Sequence, residues 1–197
     1  MMKKISALEV KKLRELTGAS VMECREALEQ AGGDTKKAVE HLRHKGKEKA
    51  GKKSGRKTGE GIVAAYIHSN KKIGALVELR CETDFVAKNS QFQELAYNLA
   101  MQVAALGPRY ISSDVVPSQE REEYEHLVRE ELAAEKKPDS VIEKIVTGKV
   151  RKHFAELSLL EQAFVKNPEI TVDELIKENI LKIGENIQIV NFVRFEI

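Results

Sequence analysis

Residues 45–61, "KGKEKAGKKSGRKTGEG", hold seven Lys or Arg and five Gly, with no large apolar side chain. Such a run cannot bury enough surface to fold by itself. It therefore divides the chain into a short unit before it and a longer one after it, each needing its own core. With 197 residues and 42% hydrophobic content there is material for both. The expected organisation is a small domain over 1–46, a basic linker over 47–60 that is helical in part, and a larger domain over 61–197.

The charge follows the same division. Residues 1–60 carry 16 Lys or Arg against nine Asp or Glu, and residues 61–197 carry 17 against 22. A basic front on an acidic body fits nucleic acid, an acidic protein partner, or only a solvated face. Lys and Arg of the run would neutralise RNA phosphates, but no aromatics are interleaved for base stacking. Cys24 and Cys81 lie far apart, with no CxxC and no disulfide framework. The start "MMKKISALEV" lacks an apolar signal core, and no long apolar run follows. These features predict a soluble protein of a reducing compartment, the cytoplasm, without a membrane partner.

The front unit reads as three short helices. "VKKLRELTG" puts Val10, Leu13 and Leu16 on one face and stops at Gly18. Ser20 with Glu23 makes a capping box for "VMECREALEQ", which Gly32 and Gly33 end. Asp34 caps a third helix, with Ala38, Val39 and Leu42 inward and Gly46 as its stop. Val21 and Met22 open the second helix. Either both are core, or they form an exposed apolar spot to which a flexible Met is suited.

The body is predicted to be α+β. "GIVAAYIH" and "IGALVELR", joined by "SNKK", read as a β-hairpin. A helix starting at Ser90, with Gln93 closing a capping box, carries Phe92, Leu95, Ala96, Leu99 and Val103 as one stripe. Two amphipathic helices around 119–157 then suggest a helical hairpin. The first carries Tyr124, Leu127, Val128 and Leu132 on one face and is broken at Pro138. The second is capped by Ser140 with Glu143. These helices either pair within the chain or dock on a partner chain. Thr171 and Glu174 cap a last helix that stops at Gly184. In "IQIVNFVRFEI" the residues Ile187, Ile189, Val193, Phe195 and Ile197 alternate as a strand. A small antiparallel sheet covered by helices accounts for this order.

Catalytic chemistry has little to stand on. Glu82 and Asp84 would point the same way along an extended stretch, and Cys81 and His68 are expected at neighbouring strand ends. A thiol nucleophile or metal site is conceivable there. The five His offer no ligand pair at a clean spacing, and His41 and His44 fit a helix surface. No phosphate-binding or dinucleotide-binding glycine motif is present. The expectation is no enzyme, no metal and no cofactor.

Three segments carry a family likeness. "LRELTGASVMECREAL", "CETDFVAKN" and "KIGENI" resemble, in order, three motifs of bacterial elongation factor Ts, and the likeness covers essentially the whole chain. The resemblance implies an N-terminal ubiquitin-associated-like three-helix domain followed by an α+β core. It also implies a role in nucleotide exchange on elongation factor Tu, a GTPase that carries aminoacyl-tRNA, with no direct nucleic-acid contact.

By that likeness Thr83, Asp84, Phe85 and Val86 contact the partner and dislodge its Mg²⁺, with Asp84 orienting the turn and Phe85 as the wedge. The alternative for Phe85 is a side chain folded back under its own helix. Ile183 and Gly184 match a second contact, and Gly184 is also a plain helix stop. Arg14, Val21 and Met22 match an N-terminal contact surface. Val21 stands where many members have Met, which keeps the apolar contact with less reach. A single core unit, as in short members, implies a homodimer binding two partner molecules. Some short members link their subunits through a C-terminal Cys. "NFVRFEI" has Val193 and no Cys, so the implied dimer is noncovalent there.

Overall fold

The computed structural model describes residues 5–133 and 138–197. Three helices open the chain: α1 (Ala7–Thr17), α2 (Val21–Gln30) and α3 (Thr35–Lys53). Strands β1 (Glu60–Ile67) and β2 (Ile73–Cys81) follow, then α4 (Asp84–Ala87), α5 (Ser90–Leu106) and a 3-10 turn at Ser113–Val115. The rest is α6 (Ser118–Leu132), α7 (Asp139–Leu157), β3 (Ala163–Phe164), β4 (Asn167–Thr171), α8 (Val172–Ile183) and β5 (Ile187–Glu196). The fold is α+β, with an N-terminal three-helix bundle and a small antiparallel sheet covered by helices.

Local signals explain the bundle. Ser6 with Glu9 and Ser20 with Glu23 form complete capping boxes, and the Asp34 side chain accepts from Lys36 N and Lys37 N. Gly18 closes α1 at φ 68, a left-handed conformation that costs glycine little. Val10, Leu13, Cys24, Ala27, Leu28, Ala38 and Leu42 form the bundle core. Leu16, expected inward, is 69% exposed, so the apolar stripe of α1 ends at Leu13.

The third helix departs from expectation. Gly46 does not stop α3, which continues to Lys53, so a boundary at 46/47 would fall inside a helix. The tertiary reason is α8. Gly46 is buried and lies over it, where an added Cβ would sit 3.6 Å from Leu181 Cδ2 and from Lys177 O. Lys47 pairs with Glu174 at 2.7 Å and Arg43 with Glu178 at 3.3 Å. Ala50 reaches the main core. Docking on α8 thus overrides the helix-breaking tendency of Gly46 and Gly51. Only residues 54–59 remain irregular between α3 and β1.

The main sheet has the order β1-β2-β5 and is antiparallel throughout, with Leu76 opposite Ala65 and Val193. Its inner face packs on α5, whose Phe92, Leu95, Ala96, Leu99 and Val103 are all buried as expected, and on Ile176 and Ile180 of α8. β5 does not alternate throughout. The register shifts between Ile189 and Asn191, leaving Val190 as an extra residue. A bulge reverses which side chains face inward. Ile187 and Ile189 point to the core, but beyond the bulge Phe192 takes that role. Val193 and Phe195, expected on the core face, are turned to the open side, 40% and 67% exposed, and Ile197 is exposed beyond the strand.

α6 and α7 pair within the chain over a core of Val128, Leu132 and Val146. Leu127, expected in that stripe, is exposed. The break of α6 before Pro138 falls on 134–137, outside the described residues. Two expected capping boxes are absent. α5 is capped by Asn89, whose side chain accepts from Gln91 N, instead of by Ser90 with Gln93. α7 starts behind Pro138 without a side-chain cap, and Glu143 pairs with Arg129 instead of serving Ser140. The two-stranded β3-β4 sheet was not legible as strands. Among the described residues no helix is long and apolar enough to cross a membrane.

Candidate protein-binding site

The turn after β2 is a small helix. Thr83 has extended backbone, φ −127 and ψ 156, and its hydroxyl accepts from Val86 N at 3.4 Å. That cap starts α4 at Asp84. Val86 and Ala87 pack against the main core. At about 100° per residue this leaves Phe85 on the opposite side. Phe85 is 82% exposed and does not fold back under its helix. Asp84 is turned out, its carboxylate 2.7 Å from Lys88 Nζ. The hydrogen bond from Lys88 holds it below the ordinary carboxylate range. Both groups are in solvent, so this pair adds little stability.

The backbone under Phe85 is held from across the chain. Glu185 Oε2 accepts from Glu82 N at 3.1 Å and Thr83 N at 3.0 Å, and Oε1 accepts from Thr83 Oγ1 at 2.7 Å. Glu82 reciprocates, its Oε1 accepting from Asn186 N at 2.7 Å and from Arg56 Nη1 at 3.4 Å. Asn186 is buried and donates from Nδ2 to Arg56 O at 3.0 Å. Glu82, Glu185, Asn186 and Arg56 were missed as site residues. The available signal was an acid directly after the Gly184 stop in "KIGENI".

Ile183 and Gly184 sit in the same assembly. Gly184 ends α8 at φ 91, donates to Ile180 O at 3.0 Å, and has open space where a Cβ would be. Its carbonyl accepts from Lys53 Nζ. Burial is the main reason the Lys53 ammonium is shifted below its ordinary pKa. Ile183 is partly buried against the main core. Gly184 is therefore both the helix stop and exposed backbone.

Arg14, Val21 and Met22 lie on the bundle and not on the Phe85 turn. All three are exposed, Val21 by 47% and Met22 by 65%, so neither apolar side chain is core. Besides the contacts of α3 with α8, the α1–α2 turn of the bundle also comes close to the end of α8. An added Cβ at Gly18, in the α1–α2 turn, would lie 3.0 Å from Lys182 Cδ. Lys182 directly precedes Ile183. Three segments far apart in sequence thus follow one another in space: the α1–α2 turn, the end of α8, and the Thr83–Val86 turn.

The residues considered for thiol or metal chemistry are not brought together. Cys81 is buried, donates to Thr83 O at 3.2 Å, and burial pushes its thiol up to about 11. A thiol so raised is a poor nucleophile. The expected proximity of His68 fails, because β2 runs antiparallel to β1. Cys81 pairs with Glu60, while His68 follows Ile67 at the other end of the hairpin. Glu82 and Asp84 do not align either, since one turns inward to Asn186 and the other outward to Lys88. Among the described residues no three His, Cys, Asp or Glu are grouped to hold a metal.

A family model described as Elongation factor TS matches residues 3–197. Elongation factor Ts of Thermosipho melanesiensis is 53% identical over 193 residues, covering 98% of this chain and 98% of that protein. The protein of the same name from Carboxydothermus hydrogenoformans is 51% identical, covering 98% and 89% respectively. That from Thermotoga petrophila is 50% identical over 188 residues, covering 95% and 94%. With this coverage, and with the three motif segments adjoining in space, the chain belongs to the elongation factor Ts family of translation factors.

Proposed function

We propose that this chain is the guanine nucleotide exchange factor of elongation factor Tu. It binds the GDP-bound partner, disturbs the partner's Mg²⁺ and phosphate site, and promotes GDP release during translation elongation in the cytoplasm. The observation that carries this is Phe85, 82% exposed on a capped turn whose backbone is tied to Glu185. A large aromatic held out in water on a fixed turn is a ready anchor for a partner pocket.

Mg²⁺ bridges phosphate oxygens and offsets much of their charge, so moving the groups that position it weakens nucleotide binding. Exchange then follows from differential affinity, because the factor binds empty partner better than nucleotide-bound partner. Linkage requires nucleotide to weaken factor binding by the same ratio. No bond forms or breaks, so no general acid, base or cofactor is needed. Thr83 and Val86 set the turn, Asp84 orients it, Phe85 enters the partner, and Ile183 with Gly184 adds a second contact. Arg14, Val21 and Met22 on the bundle hold the complex. The test is release of a fluorescent GDP analogue from elongation factor Tu. Acceleration by sub-stoichiometric amounts of this protein supports the assignment, and no acceleration by folded protein refutes it.

The same proposal makes the chain a noncovalent homodimer that engages two partner molecules. The supporting observation is the outer face of the main sheet. Val63, Ile67 and Phe195 are 66%, 65% and 67% exposed there, beside Leu76 and Val193. Leu76 and Val193 are directly paired across β2 and β5. A contiguous apolar sheet face of this kind marks a protein interface. Sedimentation equilibrium should give a dimer, and Phe195→Lys should shift it toward monomer. A wild-type monomer throughout the micromolar range would refute the dimer.

A further inference from the structure

We infer that Glu185 is a positioning residue for exchange, acting through Thr83 on Phe85. The inference rests on the exchange-factor assignment and names the group that aims its wedge. The geometry is specific. A hydroxyl has one proton to give. Thr83 Oγ1 gives its proton to Glu185 Oε1 at 2.7 Å, so toward Val86 N the same oxygen acts as an acceptor, at 3.4 Å. The carboxylate thus fixes the sense of the cap that begins α4. Its other oxygen takes both backbone N–H groups that lead into the turn, from Glu82 and Thr83.

A carboxylate suits this place because it only accepts, and three donors converge on it. Glutamine would bring an NH₂ against one of them. The return bond from Asn186 N to Glu82 Oε1 closes the clasp, so each chain segment reads the other's backbone. Lys53 and Arg56 supply the positive charge that lets two carboxylates share the site. The clasp joins residues 102 and 103 apart in sequence and links the end of α8 to the wedge turn.

The test is a double-mutant cycle on GDP-analogue release from elongation factor Tu, combined with amide hydrogen exchange at Glu82 and Thr83. Glu185→Ala should slow the accelerated release about tenfold, the size of one lost charge-assisted hydrogen bond. Its Glu82 and Thr83 amides should lose protection. In a Phe85→Ala background the same change should cost less than about twofold, because a residue acting only through Phe85 has nothing left to position. If Glu185→Ala does not fold, Glu185→Gln, which keeps one oxygen, is read in the same way.

Wild-type release by a folded variant whose amides are deprotected overturns the positioning role and leaves the exchange-factor assignment standing. So does an equal loss with and without Phe85, which would mark Glu185 as an independent contact or a general structural residue. Wild-type protein inert on elongation factor Tu overturns both.

Discussion

Phe85→Ala separates a wedge from a core residue, and the structure sets the magnitudes. Burying a Phe side chain contributes about 2 kcal/mol relative to leaving it in water. With 82% of the residue still exposed, nearly all of that gain is reserved for the partner. About four-fifths of it, ~1.6 kcal/mol, is at stake in the complex, so at about 1.4 kcal/mol per tenfold the substitution should lower the efficiency of GDP release by about 15-fold. The remaining fifth of the burial is within the free protein and is worth about 0.4 kcal/mol. For a chain of this length that shifts the melting temperature by only about 1–2 °C. Stopped-flow release of a fluorescent GDP analogue, run with varied factor, measures the first number. A thermal melt by circular dichroism measures the second. Loss in the maximal rate would place the Phe85 contact in the exchange step, and loss only in the half-saturating concentration would place it in simple docking. A folded variant that exchanges at the wild-type rate refutes the wedge. A melting temperature lowered by 10 °C would show that Phe85 supports the fold instead.

Two further outcomes test the packing that carries the site. Gly46→Ala should leave the fold intact and raise stability by up to about 1 kcal/mol, since α3 is helical there and a Cβ would meet Leu181 and Lys177 at an ordinary 3.6 Å; a thermal melt checks it, and a loss of stability would contradict the α3–α8 packing. Stability should fall in acid as Glu23 and Glu174 protonate. Burial pushes Glu23 up, but bonds from Lys49 and Ser20 outweigh it, and Lys47 lowers Glu174, so both sit below the ordinary 4.5 in the folded protein. A lowered folded pKa stabilises above 4.5 and loses that contribution as pH drops through the folded value. Denaturant melts between pH 7 and pH 3 should show this loss. It should shrink when Lys47 and Lys49 are both changed to Met, and an unchanged pH profile in that variant would refute the assignment.

Features set by neighbours three or four residues away were legible from the chain alone. The Ser20–Glu23 and Thr171–Glu174 boxes, the Asp34 cap and the left-handed Gly18 and Gly184 all formed where local chemistry placed them. Where two local signals competed, the nearer or stiffer one won. Asn89 capped α5 one residue ahead of Ser90, and Pro138 set the start of α7 while Glu143 was drawn to Arg129 at 2.5 Å. Features set by distant partners were not legible. The Lys-rich run was expected to be helical only in part and to break at Gly46, but α3 passes through Gly46 to Lys53 because α8 lies beneath it. The alternation of β5 was read through a bulge that only pairing with β2 defines. The exposed Phe85, the proposed wedge, was visible as an aromatic in a polar turn, but the clasp beneath it was not, because Glu185 and Thr83 are 102 residues apart.

The charge asymmetry of the chain is largely satisfied inside it. Of the seven cations in residues 45–61, Lys45, Lys47, Lys49 and Arg56 face Glu26, Glu174, Glu23 and Glu82, and Lys53 caps the Gly184 carbonyl. Phosphate binding by this run would have to break those pairs first, which removes much of the ground for an RNA role. The same pairs turn the basic run into a strut. Three of them, from Lys47, Lys53 and Arg56, reach α8, its cap or the strand β2 exit, and so set the bundle against the segment that holds Phe85. Each link is exposed on its cation side and worth little alone, so the strut rests on the several links acting together with the packing of Gly46 on α8. Under the proposed exchange role, with contacts at both the bundle and the Phe85 turn, such a strut would help, because the ordering cost of a loose linker has been met in folding and is not charged to binding. The Gly-rich composition that reads as flexibility therefore serves close helix packing at Gly46, and Met22 and Phe85, the contacts proposed above, belong to one connected frame.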